Sequence, residues 1–376
     1  MAEQKDYITY VHEVYDYLHT IPELGFEEYK TSAFILSELK KCGFRDEDIV
    51  SGIAGTGILV TIDSGKPGHV LALRADIDAL EFIINGERKI IHACGHDGHI
   101  SMLLVAAREI KNRGLVKAGR LKILFQPAEE KLFGALKVIE SGVLNDVEEM
   151  VGMHLRPKQD CRLGKAIPAM YHNASCIMHF SIKGKTAHGS KPHLGVNVAD
   201  ALSLSTQAVN MIRVNPAIPS SVKVTNVKIP GETYNNIPEE AFMALDLRSE
   251  SNEEIEHMKE LVVRAVTKAC EAVGAEATLT FNSGVPAAEF DDDMIKLAEE
   301  TILDVFGEHG SIGIFKNSGG EDFHYYTQKL HCKTTYMGLG ADAVPGFHNP
   351  NVVIDTKALE YGVQIWCRLV EKRMHD

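Results

Sequence analysis

His92-Ala-Cys-Gly-His-Asp-Gly-His99 runs into Ile100-Ser-Met-Leu-Leu-Val-Ala-Ala-Arg-Glu-Ile-Lys-Asn-Arg113, and after a short break Leu121-Lys-Ile-Leu-Phe125 follows. The first piece is a turn punctuated by Gly95 and Gly98, the second has apolar residues at helical spacing, and the third is an apolar run of strand length. Similar runs lie on either side: strands at 56–62, 70–73 and 150–153, and a helix near 133–141. Upstream, 31–42 reads as a helix with Ile35, Leu36, Leu39 and Cys42 on one face and Gly43 closing it. Strand and helix alternate, the pattern of a mostly parallel sheet flanked by helices.

The rhythm then changes. A strand at 176–183, a helix near 197–214, strands near 222–228 and 241–248, a helix near 253–273 and a strand at 277–281 follow in turn. This β-α-β-β-α-β order is the split βαβ arrangement of ferredoxin-like domains. We expect an α/β catalytic domain of residues 1–174 and 289–376, interrupted by a smaller α+β satellite of residues 175–288. The last part carries a helix around 293–306, a strand around 334–338 and a closing helix near 357–373.

With 376 residues, 45% hydrophobic and 24% charged, the chain is globular and long enough for two domains. Its formal charge of −13, from 39 Lys and Arg against 52 Asp and Glu, repels polyanions, so no nucleic-acid partner is expected. Seven Cys without a Cys-x-x-Cys pair imply reduced thiols. The opening Met-Ala-Glu-Gln-Lys-Asp has no apolar stretch behind a basic flank, and no run approaches a membrane span. A cytoplasmic protein with no membrane partner is the expectation.

The segment 92–99 concentrates five metal-capable side chains, those of His92, Cys94, His96, Asp97 and His99. Imidazole and thiolate suit zinc and related ions, and carboxylate also accepts manganese. The plainer reading is a polar loop with Asp97 as the cap of the next helix. Gln126-Pro-Ala-Glu-Glu130 places two carboxylates after a strand, where one can bind a metal while the other takes a proton from water. Acidic pairs also occur before helices because they favour the positive end of the dipole. His154 follows the 150–153 strand, and Asp76 and Asp78 follow the 70–73 strand, at the carboxyl ends where open α/β sheets build sites. Isolated histidines and strand-end acids are otherwise often structural or solvated. His348 sits in the Gly346-Phe-His-Asn-Pro350 turn. Together these residues describe a hydrolase with one or two divalent cations held by Cys94, His96, one of the Glu pair, His154 and His348, the other glutamate serving as base. Two ions about 3.5–4 Å apart would polarise a carbonyl and activate water. The rival is a Cys94 nucleophile with His96 or His99 as its base.

These residues resemble the co-catalytic metallopeptidase family that includes bacterial aminoacylases and carboxypeptidases, N-acetyl-diaminopimelate deacetylase and plant auxin-conjugate hydrolases. The resemblance runs nearly end to end, through Leu18-His-Thr-Ile-Pro-Glu-Leu-Gly-Phe-Glu-Glu28, Leu73-Arg-Ala-Asp-Ile-Asp-Ala-Leu80, Cys94-Gly-His-Asp-Gly-His99, Gln126-Pro-Ala-Glu-Glu130 and Gly152-Met-His154. It continues through Gly184-Lys-Thr-Ala-His188, Asn235-Asn-Ile-Pro238, Asp246-Leu-Arg248, Gly320-Glu-Asp-Phe323 and Phe347-His-Asn-Pro350. It implies metal ligands at Cys94, His96, Glu130, His154 and His348, Glu129 as general base, and Asp78 behind the ligands. It also implies His188 at the oxyanion and Asn235 and Arg248 near the substrate carboxylate; the plainer readings are a turn-capping His188 and an Arg248 paired with Asp246. The cofactors implied are two divalent ions, manganese or zinc, with cobalt and nickel as other candidates. The reaction implied is cleavage of N-acyl amino acids or similar conjugates, with carboxypeptidase or dipeptidase action on short peptides, or an inactive ligand-binding protein, as alternatives. A homodimer through the satellite is part of the same expectation. Departures lie at Glu81-Phe82, where relatives usually have Pro, in the short segment from there to His92, at Lys185-Thr186 and at Asn197.

Overall fold

The structure, a computed structural model, describes residues 6–231 and 233–375. Met1 to Lys5, which carry most of the opening read above as having no leader, lie outside the described residues. Among the described residues the chain divides into two compact units, 6–171 with 289–316 and 321–375, and 172–288 with 317–320.

The first unit begins with α1 (Tyr7–Leu18), α2 (Tyr29–Lys41), β1 (Ile49–Ile53), β2 (Gly57–Asp63) and β3 (Val70–Asp76). A ribbon of β4 (Leu80–Ile84) and β5 (Glu87–Ile91) turns at Asn85-Gly86, both left-handed at φ 54° and 81°. Then come α3 (His96–Arg113), β6 (Arg120–Gln126), α4 (Gly134–Glu140), β7 (Glu149–Pro157), β8 (Ala166–Ile167) and β9 (Met170–His172). The second unit holds β10 (Ala174–Lys183), β11 (Ala187–His188), α5 (Val198–Asn210), β12 (Ser220–Lys228), β13 (Asn236–Ile237), β14 (Glu240–Ser249), α6 (Asn252–Ala272) and β15 (Glu276–Val285). The chain ends with α7 (Asp292–Phe306), β16 (Phe315–Asn317), α8 (His324–Leu330), β17 (Lys333–Ala343) and α9 (Lys357–Arg373).

The large sheet runs β1-β2-β6-β3-β7-β17-β8. Its four inner strands, β6, β3, β7 and β17, are parallel, while β1, β2 and β8 attach antiparallel at the edges. Every residue of β3 is buried, as a strand covered on both faces must be. Leu71 and Leu73 face a core shared with α1, α3, α7 and α9, and Val70 and Ala72 face a second core with α4 and α8. In the second unit the sheet order is β12-β14-β10-β15, all antiparallel. Alternate residues of β10 and β14, such as Met178, Phe180, Met243 and Leu245, pack under Met258, Val262 and Val266 of α6.

No helix among the described residues is long and apolar enough to cross a membrane.

One boundary differs in a way that matters. The helix expected from Ile100 begins at His96, so His96, Asp97 and His99 are helical rather than part of a preceding loop. Gly95, left-handed at φ 83°, holds the cap position proposed for Asp97. A side chain there would be forced into an unfavourable backbone region and would approach the Phe347 ring at 3.0 Å.

Trp366 of α9 is buried in the first core with Leu103 and Leu104 of α3. We predict that Trp366→Ala lowers the unfolding free energy of this unit by about 3–5 kcal/mol, read from urea denaturation. A loss under about 1 kcal/mol would contradict a rigidly packed α3–α9 layer.

Candidate metal centre

The parallel strands deliver the candidates to one rim. β3 ends at Asp76 and the chain continues to Asp78; β6 ends at Gln126 and continues to Glu129 and Glu130; His154 lies near the end of β7. Glu129 to Lys131 form one 3₁₀ turn, flanked by left-handed Ala128 and Leu132. The glutamate pair therefore lies in its own 3₁₀ turn, about one helical turn of chain before the helix start at Gly134 and outside that helix. That loop is tied down from a distance. Buried Glu28 accepts from the Ala128 backbone N–H at 2.8 Å and from the Thr56 hydroxyl at 2.6 Å. A Cβ on Gly134 would lie 1.8 Å from the Pro127 carbonyl oxygen, so the loop closes only with glycine there.

Hydrogen bonds determine which ring nitrogens are free. His96 donates through Nδ1 to Asp78 Oδ1 at 3.2 Å, and its Nε2 makes no hydrogen bond; burial lowers the proton affinity of the ring, but Asp76 and Cys94 outweigh it and hold the imidazole well above its ordinary range. His154 donates through Nδ1 to the Leu155 carbonyl at 2.5 Å, and its Nε2 lies 3.3 Å from Cys94 Sγ. Glu130 Oε1, also without a hydrogen bond, stands 4.0 Å from His96 Nε2 and 3.4 Å from His348 Nε2. Asp78 ties two of these groups together, since its Oδ2 accepts from the Glu130 backbone N–H at 3.0 Å. His348 is left-handed at φ 60°, and its backbone N–H donates to the Ala93 carbonyl at 2.7 Å, which fixes the turn over Cys94.

Ligand atoms of Cys94, His96 and His154 lie within 4.8 Å of one another, as do those of Cys94, Glu130 and His348, and of His96, Glu129 and Glu130. A tetrahedral zinc with bonds of about 2.3 Å to sulfur and 2.0 Å to nitrogen separates those two ligands by roughly 3.5 Å. The 3.3 Å between Cys94 and His154 is close to that spacing. Unsatisfied buried lone pairs and a mixed thiol, imidazole and carboxylate set thus fit a divalent ion.

The electrostatics agree. Burial pushes Glu130 up to about 7, against the lowering effect of His96. Burial, then Glu321 and Glu130, hold Glu129 well above the usual carboxylate range. Burial and Glu130 likewise raise the Cys94 thiol. Without a cation these groups keep their protons, and an ion would release them.

Not all expected candidates converge. His99 accepts from the Leu155 backbone N–H through Nε2 at 2.9 Å and donates through Nδ1 to Asp76 Oδ1 at 2.6 Å, so neither nitrogen is free for a metal or for a thiol. Cys94 Sγ lies 3.3 Å from Nε2 of His154, a residue the nucleophile scheme did not name, and His96 also stands within 4.8 Å of it. His92 is buried with neither ring nitrogen bonded, and burial keeps it neutral. Asp97 serves His19 and Gly98. In the second unit His188 is exposed, its Nδ1 accepting from the Ser190 backbone N–H at 3.2 Å; the neighbouring Gly189 N–H bonds the Asn235 carbonyl at 2.7 Å. Arg248 grips Asp246 with Nε to Oδ1 at 2.8 Å and Nη2 to Oδ2 at 3.2 Å, the pairing that its plainer reading anticipated.

Sequence reading missed the floor of the site. Arg74, 1% exposed, reaches Asp76 at 2.6 Å, Asp322 at 2.8 Å, Glu321 at 3.1 Å and the Gln126 side-chain oxygen at 2.9 Å. Tyr336 donates to Glu321 at 2.6 Å, and carboxylate oxygens of Glu129, Glu321 and Asp322 lie within 4.8 Å of one another. The Arg-Ala-Asp and Glu-Asp-Phe motifs were visible, but nothing in their spacing joins them across 247 residues.

The family model for peptidase family M20/M25/M40 matches residues 72–372. The chain is 31% identical to the N-acetyl-L-cysteine deacetylase of Bacillus subtilis (strain 168), over 91% of this chain and 83% of that protein. It is 30% identical to thermostable carboxypeptidase 1 of Saccharolobus solfataricus, over 92% and 90%. The crystal structure of the Bacillus subtilis YXEP protein, described as a dinuclear metal binding peptidase from the M20 family, superposes with a TM-score of 0.78 at 26% identity, over 97% and 98%.

Because Asp78 orients His96 and the Glu130 backbone, Asp78→Ala is expected to weaken metal retention about 10–100-fold. Elemental analysis after dialysis against graded chelator measures this, and wild-type retention would contradict the placement.

Proposed function

The chain belongs to peptidase family M20/M25/M40, and we propose that this metal-dependent amidohydrolase cleaves the amide bond of N-acyl amino acids or related small conjugates, with Glu129 as general base. The observation that carries the reading is the placement of Glu129 and Glu130 side by side, Glu130 facing the Nε2 atoms of His348 and His96 and Glu129 facing Glu321 and Asp322. Adjacent carboxylates with different neighbours can divide ligation from proton transfer.

Cys94, His96, Glu130, His154 and His348 would hold two divalent ions, manganese or zinc being the candidates and cobalt or nickel accepted by the same donors. Such ions polarise a scissile carbonyl and lower the proton affinity of water. Glu129 takes the proton from the attacking water and carries it to the leaving nitrogen, which an amide needs because its anion leaves poorly. In the second unit, His188 has Nδ1 as an acceptor, so Nε2 carries the hydrogen, the tautomer a developing oxyanion requires. Arg248 offers a planar guanidinium for a substrate carboxylate, at the expense of its Asp246 contact, with Asn235 beside it in role.

The similarity to a carboxypeptidase favours one second reading, removal of a carboxyl-terminal residue from short peptides. Release of free amine from a panel of N-acyl amino acids and dipeptides separates the two. A Cys94 nucleophile is disfavoured because burial keeps the thiol protonated. Chelators would spare activity under that scheme and alkylation would not.

Glu129→Gln is expected to lower kcat at least about 10²–10⁴-fold while metal content stays at the wild-type level. Near-normal turnover by that variant would sink the base assignment. Chelation should abolish wild-type turnover and added manganese or zinc should restore it.

A further inference from the structure

The turn presenting Cys94 and His96 lacks the usual support for a helix start. Gly95 occupies the cap position of α3, so no side chain there accepts from the first-turn N–H groups. Asp97, 1% exposed, supplies the missing anchor: its Oδ1 accepts from the Gly98 N–H at 2.9 Å and its Oδ2 accepts from His19 Nδ1 at 2.7 Å. The Asp97 backbone carbonyl in turn accepts from the Ser101 hydroxyl at 2.6 Å. His19 stands just past the end of α1, half exposed, with its ring stacked on Tyr15 at 5.6 Å. Its backbone N–H donates to the Tyr15 carbonyl at 2.9 Å, closing α1.

A buried carboxylate thus obtains a side-chain donor from 78 residues away in the chain. Neighbouring imidazoles do not replace it. His99 has both nitrogens engaged elsewhere, and neither ring nitrogen of His92 makes a hydrogen bond. Leaving a buried carboxylate short of a donor is costly, and rotating it toward another partner would break its contact with the Gly98 N–H at the start of α3.

We infer that His19 is a positioning residue of the metal centre: by holding Asp97 it fixes the turn that aims Cys94 Sγ and His96 Nε2 at a common point. It touches neither ligand nor substrate. The inference rests on the metal-centre reading and adds a residue that no donor-counting would include.

The test uses the full chain, zinc as probe, and competition against a chromophoric chelator. His19→Ala removes the donor from a half-exposed position. His19→Asn keeps one, because its side-chain N–H can take the place of Nδ1. His19→Ala is expected to weaken zinc binding about 10–100-fold, and His19→Asn to recover most of that loss. If the wild-type chain itself binds no zinc, the metal-centre reading fails and the inference with it. If the wild type binds and His19→Ala binds as tightly, the His19 inference alone is overturned. A loss that His19→Asn does not recover overturns it as well, since the hydrogen bond to Asp97 would then not be its cause.

Discussion

Carboxylates of Asp76, Asp78, Glu129, Glu130, Glu321 and Asp322 meet at one rim of the sheet, nearly all of them buried, and their mutual repulsion governs the site. Arg74 compensates Asp76, Glu321 and Asp322 directly. Asp78 accepts from His96, Glu129 lies beside that ring with Glu130, and Glu130 faces the Nε2 atoms of His96 and His348. Burying such charge without compensation is costly, so it must be met by protons or by cations. The raised proton affinities of Glu129 and Glu130 are the first solution, and the converging lone pairs are the preparation for the second.

The strands transmit this constraint through paired roles. Asp76 and Asp78 stand two residues apart at the end of β3 and serve different histidines. Asp76 holds His99, which accepts from the Leu155 N–H beside His154, while Asp78 holds His96 and the Glu130 backbone. Two consecutive carboxylates of one strand end thereby orient donors from α3, β7 and the loop after β6. Such a layout explains why the candidates could be separated so widely in sequence and still share one centre.

Much of this was legible before any coordinates. Strand–helix alternation announced the α/β sheet, and the helix at Lys357–Arg373 has the bounds its periodicity suggests. Candidate ligands stood out because Cys94 and His96 fell in a cluster of metal-capable side chains before a helix, and Glu130 and His154 just after strands. Less legible was anything set by contacts distant in sequence. Arg74 and Asp322 look like ordinary polar residues until they are seen buried together. Glu28 closes the Glu129 loop from 100 residues away, and periodicity carries no trace of that bond. The start of α3 was misplaced for a local reason: Gly95, His96, Asp97 and Gly98 read as turn residues, yet the chain is already helical there, with one glycine as cap and the other close to Leu155. In the short ribbon of β4 and β5, Asn85-Gly86 marked the turn, but the strands were too short and exposed to signal pairing.

The most direct test of this account is the anomalous scattering of crystals grown with zinc, collected on both sides of the zinc edge. It predicts strong anomalous peaks enclosed by Cys94, His96, Glu130, His154 and His348, with Glu129 adjacent to them. Zinc located away from those five residues, or absent at saturating concentration, would contradict it.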